Sequence, residues 1–130
     1  MVKVHQQLEG VFLSSQADGL SEVYEDLSLI HLKNGSPRHS IVVSVLIHGN
    51  ETSSLKILQD TIKHIQESHK DYSLLVLLGN LSAAKESMRH LVGQPDFNRI
   101  WVSPPDDYKA KVAEILHLSL IHISEPTRPY

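Results

Sequence analysis

His48 and Glu51 are the two residues whose types and spacing best suit metal chemistry. They belong to the string His48-Gly49-Asn50-Glu51, which follows an apolar run and precedes a predicted helix. Imidazole and carboxylate groups bind zinc, and catalytic zinc sites commonly use three protein ligands, with one position open to water. Gly49 allows the backbone to bend so that both side chains reach one ion. A local role stays open, in which His48 forms a local hydrogen bond and Glu51 favours the positive end of the helix dipole.

Two predicted strands and the helix between them must position this pair. Residues 40–47 are β-branched and almost continuously apolar, which predicts a strand buried on both faces in the middle of a sheet. A helix is predicted from 52 to 67, with Gln59 on its exposed side, and a second buried strand at 73–78. Such a strand–helix–strand unit is normally parallel, and ligands bind outside the carboxyl ends of its strands. The apolar face of the helix consists of Leu55, Leu58, Ile62 and Ile65.

The flanking segments complete an α/β prediction. Residues 27–32 predict another strand, and Asn34-Gly35 after it is a strong hairpin signal, because both residues tolerate positive φ. The hairpin would connect this strand to the one at 40–47. Further along the chain we predict a short helix, a Gly-, Pro- and Asp-rich loop and the start of another helix, at 82–89, at 93–107 and from Lys109.

The composition excludes several classes of protein. The 130 residues, enough for one domain, include 12 Lys and Arg, 15 Asp and Glu and no Cys, and the formal charge is −3. A slightly acidic chain is not expected to bind nucleic acid through charge. Without Cys there is no disulfide, Cys-bound zinc or iron–sulfur site. No apolar run approaches the ~20 residues of a membrane span, and the N-terminus lacks a signal peptide's apolar stretch. We therefore expect a cytoplasmic protein without a membrane partner.

Three strings in the middle of the chain resemble one known family. Residues 47–52 (IHGNET) are similar to its metal-binding turn after a buried strand. Residues 77–84 (LLGNLSAA) are similar to the turn after the family's next strand. Arg89, followed by residues 96–101 (DFNRIW), is similar to a third string further downstream. The family is that of the succinylglutamate desuccinylases and aspartoacylases, which are carboxypeptidase-like zinc hydrolases. The resemblance covers residues 41–101 and implies the N-terminal part of a carboxypeptidase-like mixed sheet flanked by helices.

The resemblance also implies roles for five residues. His48 and Glu51 would be two ligands of Zn²⁺. Arg89 would be catalytic, stabilising the oxyanion beside the scissile carbonyl with its fixed charge. Asn98 and Arg99 would bind the carboxylate of a small substrate, for which a guanidinium fork is well suited. From the residues alone, a loop with this Asp-x-Asn-Arg string is more often a turn with a solvated arginine at Arg99.

Two further residues are assigned structural roles, and two histidines are left without a role. Asp96 is expected to orient its loop or to pair with an arginine, and Asn80 to cap the turn after its strand. The family's third zinc ligand and its general-base glutamate have no matching positions here. His117 and His122 stand too early, or in a suspect segment, to replace them.

The last thirteen residues, Leu118 to Tyr130, resemble the in-frame translation of a transposon-based sequencing-library adapter. We therefore predict that residues 1–117 are the N-terminal portion of a zinc hydrolase catalytic domain, and that 118–130 is a non-native tail to be excluded from fold reasoning. The natural gene would continue beyond residue 117.

The function predicted for the parent protein is zinc-dependent hydrolysis of the amide bond of an N-acyl amino acid. The present chain would be an inactive fragment of that enzyme. Two alternatives stay open: a zinc carboxypeptidase that acts on peptides, and a non-catalytic metal- or anion-binding fragment.

Overall fold

The computed structural model describes residues 1–124, which form a four-stranded mixed sheet with helices on both faces. The α/β prediction is confirmed, whereas 125–130 of the predicted tail lie outside the described residues. The strands are β1 (Val4–His5), β2 (Ser28–Asn34), β3 (Ile41–Val45) and β4 (Tyr72–Leu78). The α-helices are α1 (Ser53–Ser68), α2 (Leu81–Lys85) and α3 (Lys109–Ser124), and 3₁₀ turns span Ala17–Glu22 and Asp106–Tyr108.

The strand order is β1-β2-β4-β3, so the predicted hairpin at Asn34-Gly35 is wrong. β3 and β4 are parallel, as predicted for a strand–helix–strand unit, but β2 pairs antiparallel with β4. The Asn34 side chain donates to the Lys70 carbonyl (3.1 Å), and the Ser36 backbone N–H donates to Asp71 Oδ2 (3.1 Å). These bonds attach the Asn-Gly turn to the loop before β4, which is why the chain does not return beside β2.

β4 occupies the centre of the sheet because its side chains are apolar on both faces. On one face it packs with α1 and the segment before β2, and on the other with α3. The first cluster includes Phe12, Leu20, Ile30, Leu58, Ile62 and Val76. The second includes Leu29, Leu75, Phe97, Ile100, Val112 and Ile115.

β3 is an edge strand, so its predicted burial on both faces is wrong. Ile41 is 50% exposed and Val42 is 41% exposed. Within residues 1–124, the only strand that pairs with β3 is β4, and the outer row of backbone N–H and C=O groups of β3 is left without a strand partner. An exposed apolar edge of this kind is a template for association with another chain.

Gln59 lies in α1 but is buried, contrary to its predicted exposure. Its side-chain amide donates to the carbonyls of Phe12 (2.7 Å) and Ser15 (2.8 Å). The segment before β2 crosses the α1 face at this point, and a buried amide is tolerated there because it satisfies two backbone acceptors. The apolar face of α1 otherwise agrees with the prediction, with Leu55, Leu58 and Ile62 buried.

α3 runs without interruption across the predicted boundary after residue 117. Leu118 packs partly buried against the second cluster, and the His122 imidazole lies 3.1 Å from the Ile41 carbonyl. The boundary itself stays a prediction, since helical continuity does not report the origin of the residues. In the described part of the chain no helix has the length and apolar character needed to cross a membrane.

The open edge of β3 predicts self-association that one charge should suppress. We expect Val42→Lys to lower concentration-dependent oligomerisation, because an edge lysine must be desolvated when another strand pairs there. Light scattering after gel filtration measures the effect. Ile57→Lys, at a 66% exposed position of α1, is the control and should leave association unchanged. Equal association of Val42→Lys and the unsubstituted chain would contradict this prediction.

Candidate functional site

The site lies at the carboxyl end of β3, where the backbone turns sharply into the His48 string. Leu46 has a φ of 58°, in the left-handed region that costs a non-glycine residue about 1–2 kcal/mol. Its side chain is buried, and its carbonyl accepts a hydrogen bond of 2.6 Å from the backbone N–H of Asn80. The turn after β4 thus holds the strained turn after β3, and both strand ends meet at one edge of the sheet.

Gly49 allows the His48 turn to pack directly on the segment around α2. Its N–H donates to the Arg89 carbonyl at 3.0 Å. A Cβ atom at this position would overlap the backbone of Ala83, Ala84 and Met88. The glycine is therefore required for close approach, and this approach brings the first and third motif strings together.

The loop after α2 presents polar side chains because its apolar ones are buried. Phe97 and Ile100 lie in the second cluster, whereas Asn98 and Arg99 between them are exposed. Asp96 is oriented by the backbone N–H of Asn98, which donates to Asp96 Oδ1 at 2.8 Å. The prediction that Asp96 orients its loop is confirmed.

His48 is the buried centre of the site, with 6% of its surface exposed. Its Nε2 lies 2.8 Å from Asp96 Oδ1, so the ionised carboxylate accepts a hydrogen bond from Nε2–H. Its Nδ1 lies 3.1 Å from Glu51 Oε2, but within the described residues Nδ1 has no aligned hydrogen-bond partner. In neutral His48 the Nδ1 lone pair is consequently free, beside an exposed carboxylate.

The charges of the site stabilise one another. The Glu51 carboxylate, together with Asp96, raises the pKa of His48 above its ordinary value, while burial opposes this shift. The Asn98 backbone N–H, the His48 imidazole and the Arg89 guanidinium lower the pKa of Asp96 to about 2. Asp96 is therefore ionised at neutral pH, as its role as a hydrogen-bond acceptor requires.

Both candidate arginines lie beside Asp96. Arg89 places a guanidinium nitrogen 3.4 Å from Asp96 Oδ2, and Arg99 Nε is 3.8 Å from the same atom. Their side chains are 55% and 84% exposed, so most of their donors face solvent. The predicted pairing of Asp96 with an arginine is confirmed. Its contact with His48 was not predicted, since nothing in the local sequence links residues this far apart.

A cavity of about 360 Å³ adjoins the pair His48 and Glu51, with Asn98 in its wall. Across residues 1–124, no group of three His, Asp or Glu side chains could hold a metal ion. The donors nonetheless suit zinc: a free imidazole nitrogen lies beside a carboxylate, and the other ring nitrogen donates to a carboxylate, as in most zinc-bound histidines. Among residues 1–124, His48 and Glu51 are a pair of such donors, which is one fewer than the three protein ligands common in catalytic zinc sites.

Two curated proteins have sequences similar to this chain. The succinylglutamate desuccinylase of Serratia proteamaculans (strain 568) is 35% identical over 66 residues, which are 49% of this chain and 20% of that protein. The succinylglutamate desuccinylase of Yersinia enterocolitica (serotype O:8, biotype 1B) is 36% identical over 70 residues, 52% of this chain and 21% of that protein. No family model matches the sequence, and no solved structure matches it significantly.

These matches confirm the predicted resemblance to the succinylglutamate desuccinylases. The matched stretch covers only about a fifth of the length of either curated relative.

Substitution of Gly49 tests the close approach that assembles the site. We expect Gly49→Ala to lower the free energy of unfolding by about 1–3 kcal/mol, because the new methyl group must displace backbone atoms. Urea unfolding followed by the fluorescence of Trp101 measures the change. The control is Gly10→Ala, where a Cβ meets nothing within 4 Å, and its effect should stay within about 0.5 kcal/mol. Equal stabilities of the two variants would contradict the packing argument.

Proposed function

We propose that residues 1–117 are the N-terminal portion of a zinc-dependent hydrolase that cleaves the amide bond of an N-acyl amino acid, with N-succinylglutamate as the representative substrate. The observation that supports this most directly is His48, a buried imidazole oriented by Asp96 at one nitrogen, with the other nitrogen free beside Glu51. The names of the two relatives suggest the substrate class. In this proposal the parent protein is an enzyme.

In this proposal His48 and Glu51 would hold zinc with the imidazole and a carboxylate oxygen. A zinc ion there would supply Lewis-acid chemistry, which is polarisation of a substrate carbonyl and a bound water whose pKa is lowered toward ~7. Asp96 is the positioning residue, because it fixes the ring orientation and keeps the proton on Nε2. The third ligand and the proton-accepting glutamate come from chain beyond residue 117.

Arg89, Asn98 and Arg99 serve the substrate. Arg89 stabilises the negative charge that develops on the scissile carbonyl oxygen. Asn98 and Arg99 bind the free carboxylate of a small substrate, and the cavity beside Asn98 receives it. Asp96 contacts only one edge of each guanidinium, which leaves further N–H groups for a ligand. The proposal includes a cytoplasmic location and neither nucleic acid nor a membrane as partner.

Two other functions fit parts of the site. A zinc carboxypeptidase that acts on peptides would use the same combination of zinc and arginine residues. A non-catalytic fragment would bind metal or anions at the same place without turnover. The names of the relatives support the deacylase over both alternatives.

Zinc titration tests the ligand pair directly. The chain is expected to bind one Zn²⁺ weakly, since two ligands leave the coordination shell incomplete. His48→Ala and Glu51→Gln should each abolish this binding in a calorimetric titration. His64→Ala removes an exposed histidine of α1 and should leave the titration unchanged. Zinc binding that survives His48→Ala but not His64→Ala would contradict the assignment.

The catalytic proposal is tested on the protein encoded by the uninterrupted source gene. With zinc, it is expected to release succinate from N-succinylglutamate, whereas the 130-residue chain releases none. In the longer protein Arg89→Lys should lower kcat by about 10²–10³-fold, the usual loss when an oxyanion donor is displaced. Arg38→Lys, at an exposed turn position, is the control.

Two results would contradict the catalytic proposal. Release of C-terminal amino acids from peptides in place of succinate would favour the carboxypeptidase. A source gene that ends near residue 117 would favour the non-catalytic fragment.

A further inference from the structure

A side-chain hydrogen bond joins the turn after β4 to the loop that contains Arg89. The Asn80 Nδ2 donates to the Gln94 Oε1 at 2.8 Å, and we call this pair the Asn80–Gln94 clasp. Asn80 is fully buried, with 0% of its surface exposed. Burial of the Asn80 amide N–H without an acceptor would cost free energy, so the observed hydrogen bond to Gln94 favours one arrangement of the two side chains.

Each end of the clasp is fixed by further hydrogen bonds. Asn80 Oδ1 accepts from the Ala83 N–H at 3.0 Å, as predicted for a cap, and the Asn80 N–H donates to the Leu46 carbonyl at 2.6 Å. Gln94 Oε1 also accepts from the Leu91 N–H at 2.9 Å, while the Gln94 N–H donates to the Leu91 carbonyl at 3.1 Å. The segment 91–94 is thus closed on itself and attached to the buried strand end.

The position of Arg89 depends more on the backbone of this segment than on the contacts of the Arg89 side chain. Its carbonyl accepts from the Gly49 N–H on one side, and the clasp holds the chain two residues later. The Arg89 side chain is 55% exposed, and in the described part of the chain the only side-chain polar contact of its guanidinium is with Asp96, at 3.4 Å. A long exposed side chain with one weak contact takes its average position from its backbone.

We propose that Gln94 is a positioning residue that aims Arg89 at the anion-binding side of the site, independently of the zinc ligands. The inference rests on the proposed function for its anionic ligand. His48 and Asp96 do not depend on the clasp in the same way, because Phe97 and the Asn98 N–H anchor Asp96 from the other side. A role in stability alone is the competing explanation.

Three substitutions at Gln94 distinguish positioning from stability. Gln94→Met keeps the length and removes the acceptor, and Gln94→Asn keeps a solvated amide that is one methylene too short to reach Asn80. Gln94→Glu retains an acceptor oxygen for both donors and serves as the rescue. Gln66→Met, at an exposed position of α1, is the matched control.

Two readouts are measured on the whole 130-residue chain. The first is the side-chain ¹⁵N–¹H resonance of Arg89, which reports guanidinium placement without any ligand. The second is the affinity for succinate, titrated with zinc present. For Gln94→Met and Gln94→Asn we expect the Arg89 resonance to move toward its value in the unfolded chain. The succinate Kd should rise about tenfold, equivalent to one net hydrogen bond, with zinc affinity unchanged. Gln94→Glu and Gln66→Met should match the unsubstituted chain.

The opposite result is equally specific. If Gln94→Asn lowers the melting temperature but leaves the Arg89 resonance and the succinate affinity unchanged, the residue is only structural and the inference is overturned. The same holds if Gln94→Glu fails to restore the Arg89 resonance. Should Gln94→Met not fold, Gln94→Asn decides. If the unsubstituted chain binds neither zinc nor succinate, the proposed function fails, and the Arg89 resonance still decides the role of Gln94.

Discussion

The hydrogen bond between His48 and Asp96 is the interaction on which the candidate site depends. At 2.8 Å it joins the turn after β3 to a loop 48 residues further along the chain. One carboxylate satisfies a buried imidazole nitrogen, accepts the Asn98 N–H and pairs with Arg89, so a single residue determines the ring orientation and the loop position. Because such networks are strong only when every member is satisfied, loss of Asp96 would leave the buried imidazole nitrogen without its acceptor and its ring without a fixed orientation.

This contact requires backbone segments that approach more closely than side chains allow. At Gly49 a methyl group would overlap the segment around α2, and at Gly79 it would overlap the backbone of Leu46 and Ile47. The two glycines follow parallel neighbouring strands, so they lie at the same edge of the sheet. The side chain of Asn80, next to Gly79, accepts a hydrogen bond from the Ala83 N–H and donates one to Gln94. The turns at the carboxyl ends of β3 and β4 thus form a rigid support for polar residues.

The two carboxylates beside His48 differ in their surroundings: Asp96 is engaged by several donors, whereas Glu51 is exposed. Asp96 is engaged by three donors and its pKa is held at about 2, so it remains an ionised support. Glu51 is 57% exposed and makes its only close charge contact, within residues 1–124, with His48 Nδ1. An imidazole nitrogen beside an exposed carboxylate is a pair of donors that suits a divalent cation.

The sequence by itself determined the elements that depend on local periodicity, and the tertiary structure decided how they pair. The helical spacing of Leu55, Leu58 and Ile62 predicted α1, and the apolar runs predicted β3 and β4, because these signals lie within one turn or one strand. The order of the strands was mispredicted, because Asn34-Gly35 favours a hairpin locally but binds the loop before β4 in the fold. The site followed the same rule. The motif strings predicted roles for His48, Glu51 and the arginines, which stay predictions, whereas only packing between the turn after β3 and the loop after α2 could bring Asp96 to His48.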